Sequence, residues 1–437
     1  MDLSNICENI SVNSKDHVCF AGQDVCDLAR DYGTPLYLMD EERIRRNCKV
    51  YAEAVREFFG EGSMVLYASK ACSFARMYSI INDEGLGTDV VSSGELFTAL
   101  RVGFPAKNMF FHSNNKTDDD IYYAIDNGVG HFVVDNAEEL EAINRIAGEK
   151  GIKQGVLLRL TPGIDPHTYA AVATGKVDSK FGSAIETGQA EEITALAVGL
   201  ENIDLEGFHC HVGSQVFDAE VYIRSTDIML TFIKEMQDKL GYTARLLDIG
   251  GGFGVRYVED DPYIDIREGI RQTAESMHKK AEELGIKMPV IFMEPGRSIV
   301  ADAGMTVYTV GTVKRIPGYK NYVSIDGGMA DNPRFALYGS KYTLALANRA
   351  NDEATFECSV VGRCCESGDI IQEKVMLPDG IKRNDIIAVM TTGAYNYSMS
   401  SNYNRLGKPP IVMLNKGESY VAVRRQTLED IMSNDVY

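Results

Sequence analysis

Eight short apolar runs follow one another through the first two-thirds of the chain. Between them lie stretches long enough for a helix, such as SFARMYSIINDEG and NAEELEAINRIAGEKG. Strand and helix alternating at this spacing predict parallel βαβ units, and eight of them predict a (β/α)8 TIM-type barrel. In such a barrel the reacting groups lie at the C-terminal ends of the strands. The runs are residues 64–70, 87–91, 109–113, 131–135, 155–160, 206–213, 244–251 and 289–296.

The pattern changes after the eighth run. Helical periodicity fades, and β-rich stretches such as MTVYTVGTVKRI and DIIAVMTTG take over. They predict a C-terminal antiparallel β-sandwich or β-barrel domain. The first 36 residues read as strand, short helix and strand, so we expect them to join it. The α/β chain is therefore predicted to have a barrel domain at 37–301 and a discontinuous β domain at 1–36 and 302–437.

Composition narrows the class of protein. With 437 residues, 45 % of them hydrophobic, the chain can fill two cores. Its start, MDLSNICENISVNSKDH, lacks the apolar block of a signal peptide, and no run has the length of a membrane span, which predicts a cytoplasmic protein. The nine cysteines show no CxxC pairs, which favours free thiols. A net charge of −19 disfavours nucleic acid and anionic membranes as partners.

Lys70 ends the first run, in MVLYASK. Apolar surroundings at a strand end favour the neutral, nucleophilic form of an amine. A lone lysine in this position is more often a solvated surface residue. Its interpretation therefore depends on what the other strands bring to the same rim.

The segment DIGGGFG, residues 248–254, places three consecutive glycines where a strand turns into a loop. Bare backbone N–H groups there can approach a phosphate. The segment comes after several barrel units, so it is not a dinucleotide fingerprint. Its place after the seventh strand, where barrels often bind phosphate, favours a phosphate site.

The segment HCHVGSQ puts His209 and His211 on one face of a strand and Cys210 on the other. A metal site needs a third ligand, which the spacing does not show, so no metal is predicted. Two interpretations stay open. The imidazoles are packed core groups, or one of them stacks on a flat cofactor.

The segment EPGRS ends the eighth run with Glu294 and Arg297 across a Pro-Gly turn. A surface ion pair there contributes little stability. At a barrel rim, however, a carboxylate can hold the proton of a cofactor ring nitrogen, and an arginine can bind a carboxylate or phosphate. A lysine amine, a phosphate turn, a stacking imidazole and a ring-nitrogen acid together describe a pyridoxal 5′-phosphate site.

The β domain adds CCESGD, RFALYGSKY and GAYNYSMSSNYN. In an extended strand Cys364 and Cys365 point to opposite faces, so at most one of them enters a site. The tyrosines of the last segment either fill the β-domain core or reach a ligand phosphate.

With these motifs the chain resembles the diaminopimelate decarboxylase family, fold-type III pyridoxal-phosphate enzymes with an alanine-racemase-like barrel. The resemblance runs from about residue 33 to residue 432, and its specificity lies in the joint order of the motifs rather than in any one of them. The motifs are YASKAC, TDVVSSGEL, HTYAAVATGKVDSKFG, FHCHVGSQ, DIGGGFG, EPGRS, RFALYGS, CCESGD and AYNYSMSSNYN.

The resemblance implies a role for each matching residue. Lys70 matches the Schiff-base lysine, His211 the ring-stacking imidazole, Glu294 the partner of the pyridine nitrogen and Cys365 the proton donor. The cofactor-binding positions are Lys70, Asp89, His211, Ser214, Gly250, Gly251, Gly252, Glu294, Pro295, Gly296, Arg297 and Tyr395. The substrate-binding positions are Arg297, Arg334, Tyr338, Glu366 and Tyr395. In the family, Cys365 and Glu366 reach the site from the second subunit of a homodimer.

The reaction implied is decarboxylation of meso-2,6-diaminopimelate to L-lysine and carbon dioxide, the last step of lysine biosynthesis. Sister enzymes acting on ornithine or arginine need acidic residues at the far end of the substrate, whereas Arg297 and Arg334 favour a carboxylate there. A carboxylated polyamine substrate stays open. A racemase needs acid and base groups on both faces of the substrate, and a silent cofactor-binding regulator is opposed by the intact Lys70, Cys365 and Glu294.

Overall fold

A computed structural model describes residues 3–164 and 179–436. The chain divides into two compact units. The barrel unit consists of Asn47–Gly254 and Tyr263–Ser298, and the β unit of Met1–Arg46, Val255–Pro262 and Ile299–Tyr437.

The strands of the described residues are numbered along the chain. They are β1 (Ile10–Val12), β2 (Val18–Phe20), β3 (Gln23–Asp24), β4 (Leu36–Asp40), β5 (Met64–Ala68), β6 (Gly87–Val90), β7 (Met109–Phe111), β8 (His131–Val134), β9 (Gln154–Thr161), β10 (Ser183–Ala184), β11 (Ile203–His209), β12 (Leu246–Asp248), β13 (Val290–Met293), β14 (Gly304–Arg315), β15 (Asn321–Ile325), β16 (Leu344–Leu346), β17 (Ala354–Val361), β18 (Ile370–Pro378), β19 (Ile386–Met390), β20 (Ile411–Asn415) and β21 (Glu418–Val423).

The α-helices are numbered in the same way. They are α1 (Val25–Tyr32), α2 (Glu41–Phe59), α3 (Ala75–Asp83), α4 (Ser93–Arg101), α5 (Asp118–Asp126), α6 (Ala137–Glu149), α7 (Gln189–Gly199), α8 (Ala219–Leu240), α9 (Ile266–Leu284), α10 (Arg297–Val300), α11 (Arg334–Tyr338) and α12 (Leu428–Met432). No helix among the described residues has both the length and the apolar composition that crossing a membrane requires.

The barrel unit contains eight parallel strands in the order β5, β6, β7, β8, β9, β11, β12 and β13. The barrel closes where β13 pairs with β5, through Phe292 with Met64 and Met293 with Val65. Each of the eight apolar runs forms one strand, because a strand covered on both faces is apolar along most of its length. The predicted (β/α)8 barrel is thus confirmed.

The main sheet of the β unit has the order β18, β17, β15, β14, β4, β20 and β21, and β19 pairs with both β14 and β16. Two of its pairings, β15 with β17 and β20 with β4, are parallel. The predicted β domain is therefore present, but its sheet is mixed rather than purely antiparallel. The physical reason is the path of the chain: β4 precedes the barrel and takes its place between two strands that follow it.

Candidate active site

The lumen of the barrel is layered. A lower, apolar layer consists of the buried residues Leu66, Phe110, Val133, Leu157 and Phe292. Side chains two positions apart on a strand share a face, so the next residue on each of these faces lies at the C-terminal rim. On four of the five strands that residue is polar, namely His112, Asp135, Arg159 and Glu294. The apolar layer therefore forms the floor of a polar rim.

Lys70 lies in a short 3-10 turn, Ser69–Ala71, directly after β5. Its Nζ is 2.5 Å from Oδ2 of Asp89, a fully buried residue of β6. The other oxygen of that carboxylate, Oδ1, accepts the backbone N–H of Ser69 at 2.8 Å. Asp89 thus fixes both the backbone and the amine of the turn, while the Lys70 side chain stays 42 % exposed.

Glu294 follows β13 and is the centre of a buried cluster. Its Oε2 is hydrogen-bonded to Nε2 of His209 at 3.1 Å, and Nε2 of His112 lies 2.6 Å from Oε1. Each carboxylate oxygen thus has an imidazole nitrogen beside it, and the contact with His112 is the shorter of the two. The two imidazole rings meet edge to face, with 5.0 Å between their centroids.

The charges of this cluster are divided unevenly. Burial opposes ionisation of Glu294, but His112 and His209 outweigh it and hold the pKa of Glu294 well below its usual value. Burial, together with the negative charge of Glu294, raises the pKa of the neighbouring Asp248 well above its usual value. Burial also lowers the pKa of His209 to about 4, so this imidazole is neutral at pH 7. Glu294 is the anion of the cluster, and Asp248 holds a proton.

The glycine turn after β12 packs against the backbone of two neighbouring segments. Gly250 and Gly252 have φ values of 70° and 112°, in the region that favours glycine. A Cβ on Gly251 would lie 2.0 Å from the carbonyl oxygen of Glu294, and one on Gly252 would lie 2.1 Å from that of Gly213. Only glycine fits here, and the resulting bare backbone is what a phosphate needs for close approach.

His211 follows β11 and is half-buried. Burial, with the nearby positive charges of Arg159 and Lys70, lowers the pKa of His211 well below its usual value. Its Nδ1 accepts the backbone N–H of Gly251 at 3.4 Å. His211 is therefore a neutral imidazole tied to the glycine turn, while Cys210 before it is fully buried.

Arg297 begins α10 and is almost completely buried. Its Nε donates a hydrogen bond to Oγ of Ser214 at 3.0 Å. The turn before it packs on the end of β5: the carbonyl of Pro295 accepts the N–H of Ala68 at 3.1 Å, and a Cβ on Gly296 would lie 2.8 Å from that of Ala68. Arg297 and Ser214 are thus brought together from different strands.

Sequence reasoning did not single out three polar residues of the rim, His112, Asp135 and Arg159. Asp135 accepts the backbone N–H of Gly182 at 2.9 Å, and the Arg159 guanidinium lies 4.4 Å from the centre of the Phe181 ring. Burial raises the pKa of Asp135, and the positive charge of Arg159 opposes that shift. Each of the three lies two residues after an apolar residue of the barrel floor, namely Phe110, Val133 and Leu157, and this spacing could have predicted their place at the rim.

In the β unit, Arg334 is buried at the start of α11. Its Nη1 donates to the hydroxyl of Tyr342 at 3.1 Å, and its guanidinium lies 4.9 Å from the centre of the Tyr257 ring. Asn396 donates to the same Tyr342 hydroxyl at 3.3 Å. Burial opposes the charge of Arg334, but the two tyrosines outweigh it and raise the pKa of Arg334. A permanent cation is thus held among aromatic rings.

The remaining candidates also lie in the β unit. Cys365 and Glu366 are exposed, and the backbone N–H of Cys365 donates to Oδ1 of Asn404 at 2.7 Å. Tyr338 is 38 % exposed, and Tyr395 is half-buried with φ of 60°. Most of the motif HTYAAVATGKVDSKFG, residues 167–182, lies outside the described residues.

The rim residues fit pyridoxal 5′-phosphate. Lys70 supplies an amine at a strand end, and Gly250–Gly252 supply a turn of bare backbone that a phosphate can approach closely. Glu294 supplies a buried carboxylate whose pKa is held well below its usual value. A buried carboxylate of this kind is suited to a protonated pyridine nitrogen.

The cluster around Glu294 also contains three potential metal ligands, one more than the HCHVGSQ segment shows by its spacing. His112, His209 and Glu294 each place one potential ligand atom within 4.8 Å of the others. The hydrogen bond between His209 and Glu294 already joins two of the three. Beside an amine and a glycine turn, this triad is better explained as the carboxylate end of a cofactor site than as a metal centre.

Comparison with known proteins first defines the class. Residues 41–301 match the family model of the pyridoxal binding domain of pyridoxal-dependent decarboxylases, and the chain belongs to that family. It is an enzyme that depends on pyridoxal phosphate. Sequence relatives then narrow the family.

Over 426 residues the chain is 42 % identical to the diaminopimelate decarboxylase of Bacillus subtilis, covering 97 % of this chain and 96 % of that protein. The crystal structure of the M. jannaschii diaminopimelate decarboxylase with L-lysine has a TM-score of 0.91 at 31 % identity, covering 98 % of both chains. The Helicobacter pylori enzyme with L-lysine has a TM-score of 0.84 at 31 % identity, covering 94 % of this chain and 98 % of that one. Within its class, the chain belongs to the diaminopimelate decarboxylases.

Proposed function

We propose that this chain decarboxylates meso-2,6-diaminopimelate to L-lysine and carbon dioxide, the last step of lysine biosynthesis. The observation that carries the proposal is the rim itself. A lysine amine at the end of β5, a glycine turn after β12 and a buried anionic carboxylate after β13 are brought together by one closed barrel.

The cofactor would be held by residues from several strands. Lys70 would hold its aldehyde, the Gly250–Gly252 turn with Ser214 and Tyr395 its phosphate, and Glu294 its ring nitrogen. Asp89, His211 and the segment Pro295–Arg297 complete the proposed set. When bound, pyridoxal 5′-phosphate supplies a sink for the electron pair that remains when carbon dioxide leaves.

The protein's own groups then perform four tasks. Glu294 stays ionised and keeps a proton on the ring nitrogen that it faces. His211, neutral and tied to Gly251, offers a flat face for stacking. Asp89 orients the Lys70 amine for binding and release. Cys365 delivers a proton to the carbon that loses the carboxylate, so one carbon–carbon bond is replaced by one carbon–hydrogen bond.

The proposed specificity depends on arginines. Arg297 and Arg334 would bind the carboxylate at the far end of the substrate, since a guanidinium fork can bind both oxygens. Tyr338 and Glu366 complete the proposed substrate set. Both arginines are buried, so each is fixed in place before the substrate arrives. A far-end amine, as in ornithine, would meet positive charge instead.

The proposal includes a homodimer with shared sites, in the cytoplasm. What supports the shared sites is that Cys365 and Glu366 are exposed in the β unit of their own chain. A two-fold dimer would allow each to serve its partner's barrel. The cytoplasmic location is supported by the cysteines, none of which forms a disulfide among the described residues.

The first test is release of carbon dioxide and L-lysine from meso-diaminopimelate by the purified protein with added pyridoxal phosphate. We expect turnover that disappears in Lys70→Ala. Ornithine, arginine and carboxynorspermidine are assayed in parallel, and Lys49→Ala, an exposed lysine on α2, is the matched control. Turnover of another substrate in place of diaminopimelate would contradict the proposed substrate. If none of the four compounds is turned over, the proposed reaction is wrong.

A further inference from the structure

We infer that His112 is a positioning residue for Glu294, and that it decides which of two buried carboxyl groups, Glu294 or Asp248, carries the negative charge. The inference rests on the proposed function in one respect only: Glu294 is taken to face the ring nitrogen of the cofactor. His112 lies in none of the motifs that carry the family resemblance.

The two carboxyl groups compete for one charge. Asp248 ends β12 and is fully buried, and Glu294 follows the adjacent strand β13 and is 7 % exposed. Like charges close together in a protein interior do not both ionise. One group must therefore keep its proton, and the surroundings of the two groups determine which one.

Those surroundings differ sharply. Oδ1 of Asp248 accepts a single backbone N–H, from Gly250 at 2.8 Å, and its carboxyl group also interacts with that of Glu294. Glu294 instead has an imidazole at each oxygen, His209 at 3.1 Å and His112 at 2.6 Å. The more distant positive charge of Arg159 also acts on Glu294.

Of the two imidazoles, His112 is the one that can change the charge balance. His209 is neutral, and its Nε2 is already hydrogen-bonded to Oε2. His112 is the closer of the two and lies beside Oε1, the other oxygen of the carboxylate. The positive charge that His112 can carry also acts on the carboxyl group of Asp135.

Without His112, the ionised form of Glu294 would be less stabilised relative to that of Asp248. The proton would then move from Asp248 towards Glu294. A neutral Glu294 cannot stabilise a protonated pyridine nitrogen. The cofactor would then bind more weakly, although Lys70 and the glycine turn would be unchanged. His112 acts through Glu294 and need not touch the cofactor.

The test uses three variants of the full chain. His112→Phe removes both ring nitrogens, His112→Gln restores an N–H donor, and His278→Gln is the control, since His278 is exposed on α9. The first readout needs no cofactor. Carboxyl groups labelled with ¹³C are titrated by NMR in the apoprotein, and the signals of Glu294 and Asp248 are assigned with Glu294→Gln and Asp248→Asn. The second readout is the Kd for pyridoxal phosphate.

In the wild type and in His278→Gln we expect Glu294 to stay ionised, and Asp248 protonated, at pH 7. In His112→Phe the proton should move to Glu294, and the Kd for pyridoxal phosphate should rise about tenfold, the size typical of losing a group that orients a site residue. His112→Gln should recover most of both properties. Thermal unfolding of the apoproteins shows whether each variant is folded.

If Glu294 stays ionised in a folded His112→Phe variant, or if the Kd changes equally in His278→Gln, the inference is wrong. Should His112→Phe fail to fold, His112→Leu takes its place, because it also lacks both ring nitrogens, and the same results support or contradict the inference. Both readouts are independent of diaminopimelate turnover. Failure of the proposed reaction would therefore leave this test standing.

Discussion

Gly251 lies where the segments that follow β12 and β13 pack closely against each other. A Cβ there would lie 2.0 Å from the carbonyl oxygen of Glu294 and 2.6 Å from its carbonyl carbon. Both are backbone atoms, which cannot rotate away as the end of a flexible side chain can. The absence of one methyl group thus fixes the spacing between the glycine turn and the carboxylate.

We expect Gly251→Ala to cost about 1–3 kcal/mol of unfolding free energy, because the backbone after β12 or β13 must shift. The same shift should weaken binding of pyridoxal phosphate. Urea unfolding of the apoprotein and a cofactor titration measure the two effects. Gly199→Ala at the end of α7 is the control, since a Cβ there meets nothing within 4 Å. Equal stability of the two variants would contradict the close packing.

At the residue scale, the sequence predicted Lys70 and Glu294 because each ends an apolar run. It did not predict the role of His112, although His112 lies in the third run, 109–113. The proposed role depends on a contact with Glu294, which follows the last strand of the barrel, and no local pattern encodes such a contact. Counting two positions beyond Phe110 along the strand would have placed His112 at the rim.

At the scale of elements, a buried ion pair joins the segments that follow β7 and β8. Lys116 lies between β7 and α5, and its Nζ contacts Oε1 of Glu139 on α6 and the carbonyl oxygen of Val133, each at 2.7 Å. The Lys116 side chain is completely buried. The pair therefore ties the segment that carries His112 to the neighbouring βα unit.

Removing one partner of this ion pair should destabilise the folded chain strongly. We expect Glu139→Gln to lower the unfolding free energy by about 3–5 kcal/mol, because it leaves a buried charge uncompensated. The double variant Lys116→Met with Glu139→Leu should regain most of the loss. Urea unfolding compares the variants with Glu138→Gln on the same helix. A small effect of Glu139→Gln would mean that Lys116 is already neutral in the folded chain.

The elements themselves were predictable to different degrees. All eight barrel runs became strands, because a parallel strand buried on both faces is apolar throughout. The mixed sheet of the β unit was not foreseen. The parallel pairing of β20 with β4 joins a segment that precedes the barrel in the sequence to one that follows it. The alternation of polar and apolar residues within one strand does not indicate which strand will pair with it.

At the scale of the whole molecule, stability should depend on pH through Asp331. Burial raises the pKa of Asp331 to about 7, against the hydrogen bonds from Tyr308 and the Gly328 N–H. The folded chain keeps this proton up to about pH 7, whereas the unfolded chain releases it near pH 3.8. The contribution of Asp331 to stability is therefore full below about pH 4 and is lost as the pH rises to 7.

Asp331→Asn should reduce the loss of unfolding free energy between pH 5 and pH 7. The difference between the variant and the wild type is limited to about 1.4 kcal/mol per pH unit, the most that one proton can give. Urea unfolding at several pH values measures it, with Asp16→Asn, at a surface turn, as control. Parallel stability curves for Asp331→Asn and the wild type would show that the carboxyl group is ionised when folded.

The proposed shared sites make a prediction about mixed dimers. Lys70→Ala and Cys365→Ala chains, each inactive alone, are unfolded together and refolded. Half of the randomly formed dimers are hybrids, and one of their two sites has both groups intact, so about a quarter of the wild-type activity should return. Two preparations of Lys70→Ala mixed in the same way give the baseline. Absence of recovery in hybrids of proven composition would exclude shared sites.

The closing pair of the barrel, β13 with β5, has a consequence for how the cofactor is acquired. Lys70 follows β5 and Glu294 follows β13, so the first and the last strand of the ring supply the two ends of the proposed cofactor site. A nascent or partly folded chain has neither the ring nor this proximity. Only a chain in which the barrel has closed can therefore bring the two ends of the proposed cofactor site together. Excess pyridoxal phosphate should then protect the finished fold from turnover, because a ligand that binds only the native state shifts the population towards it.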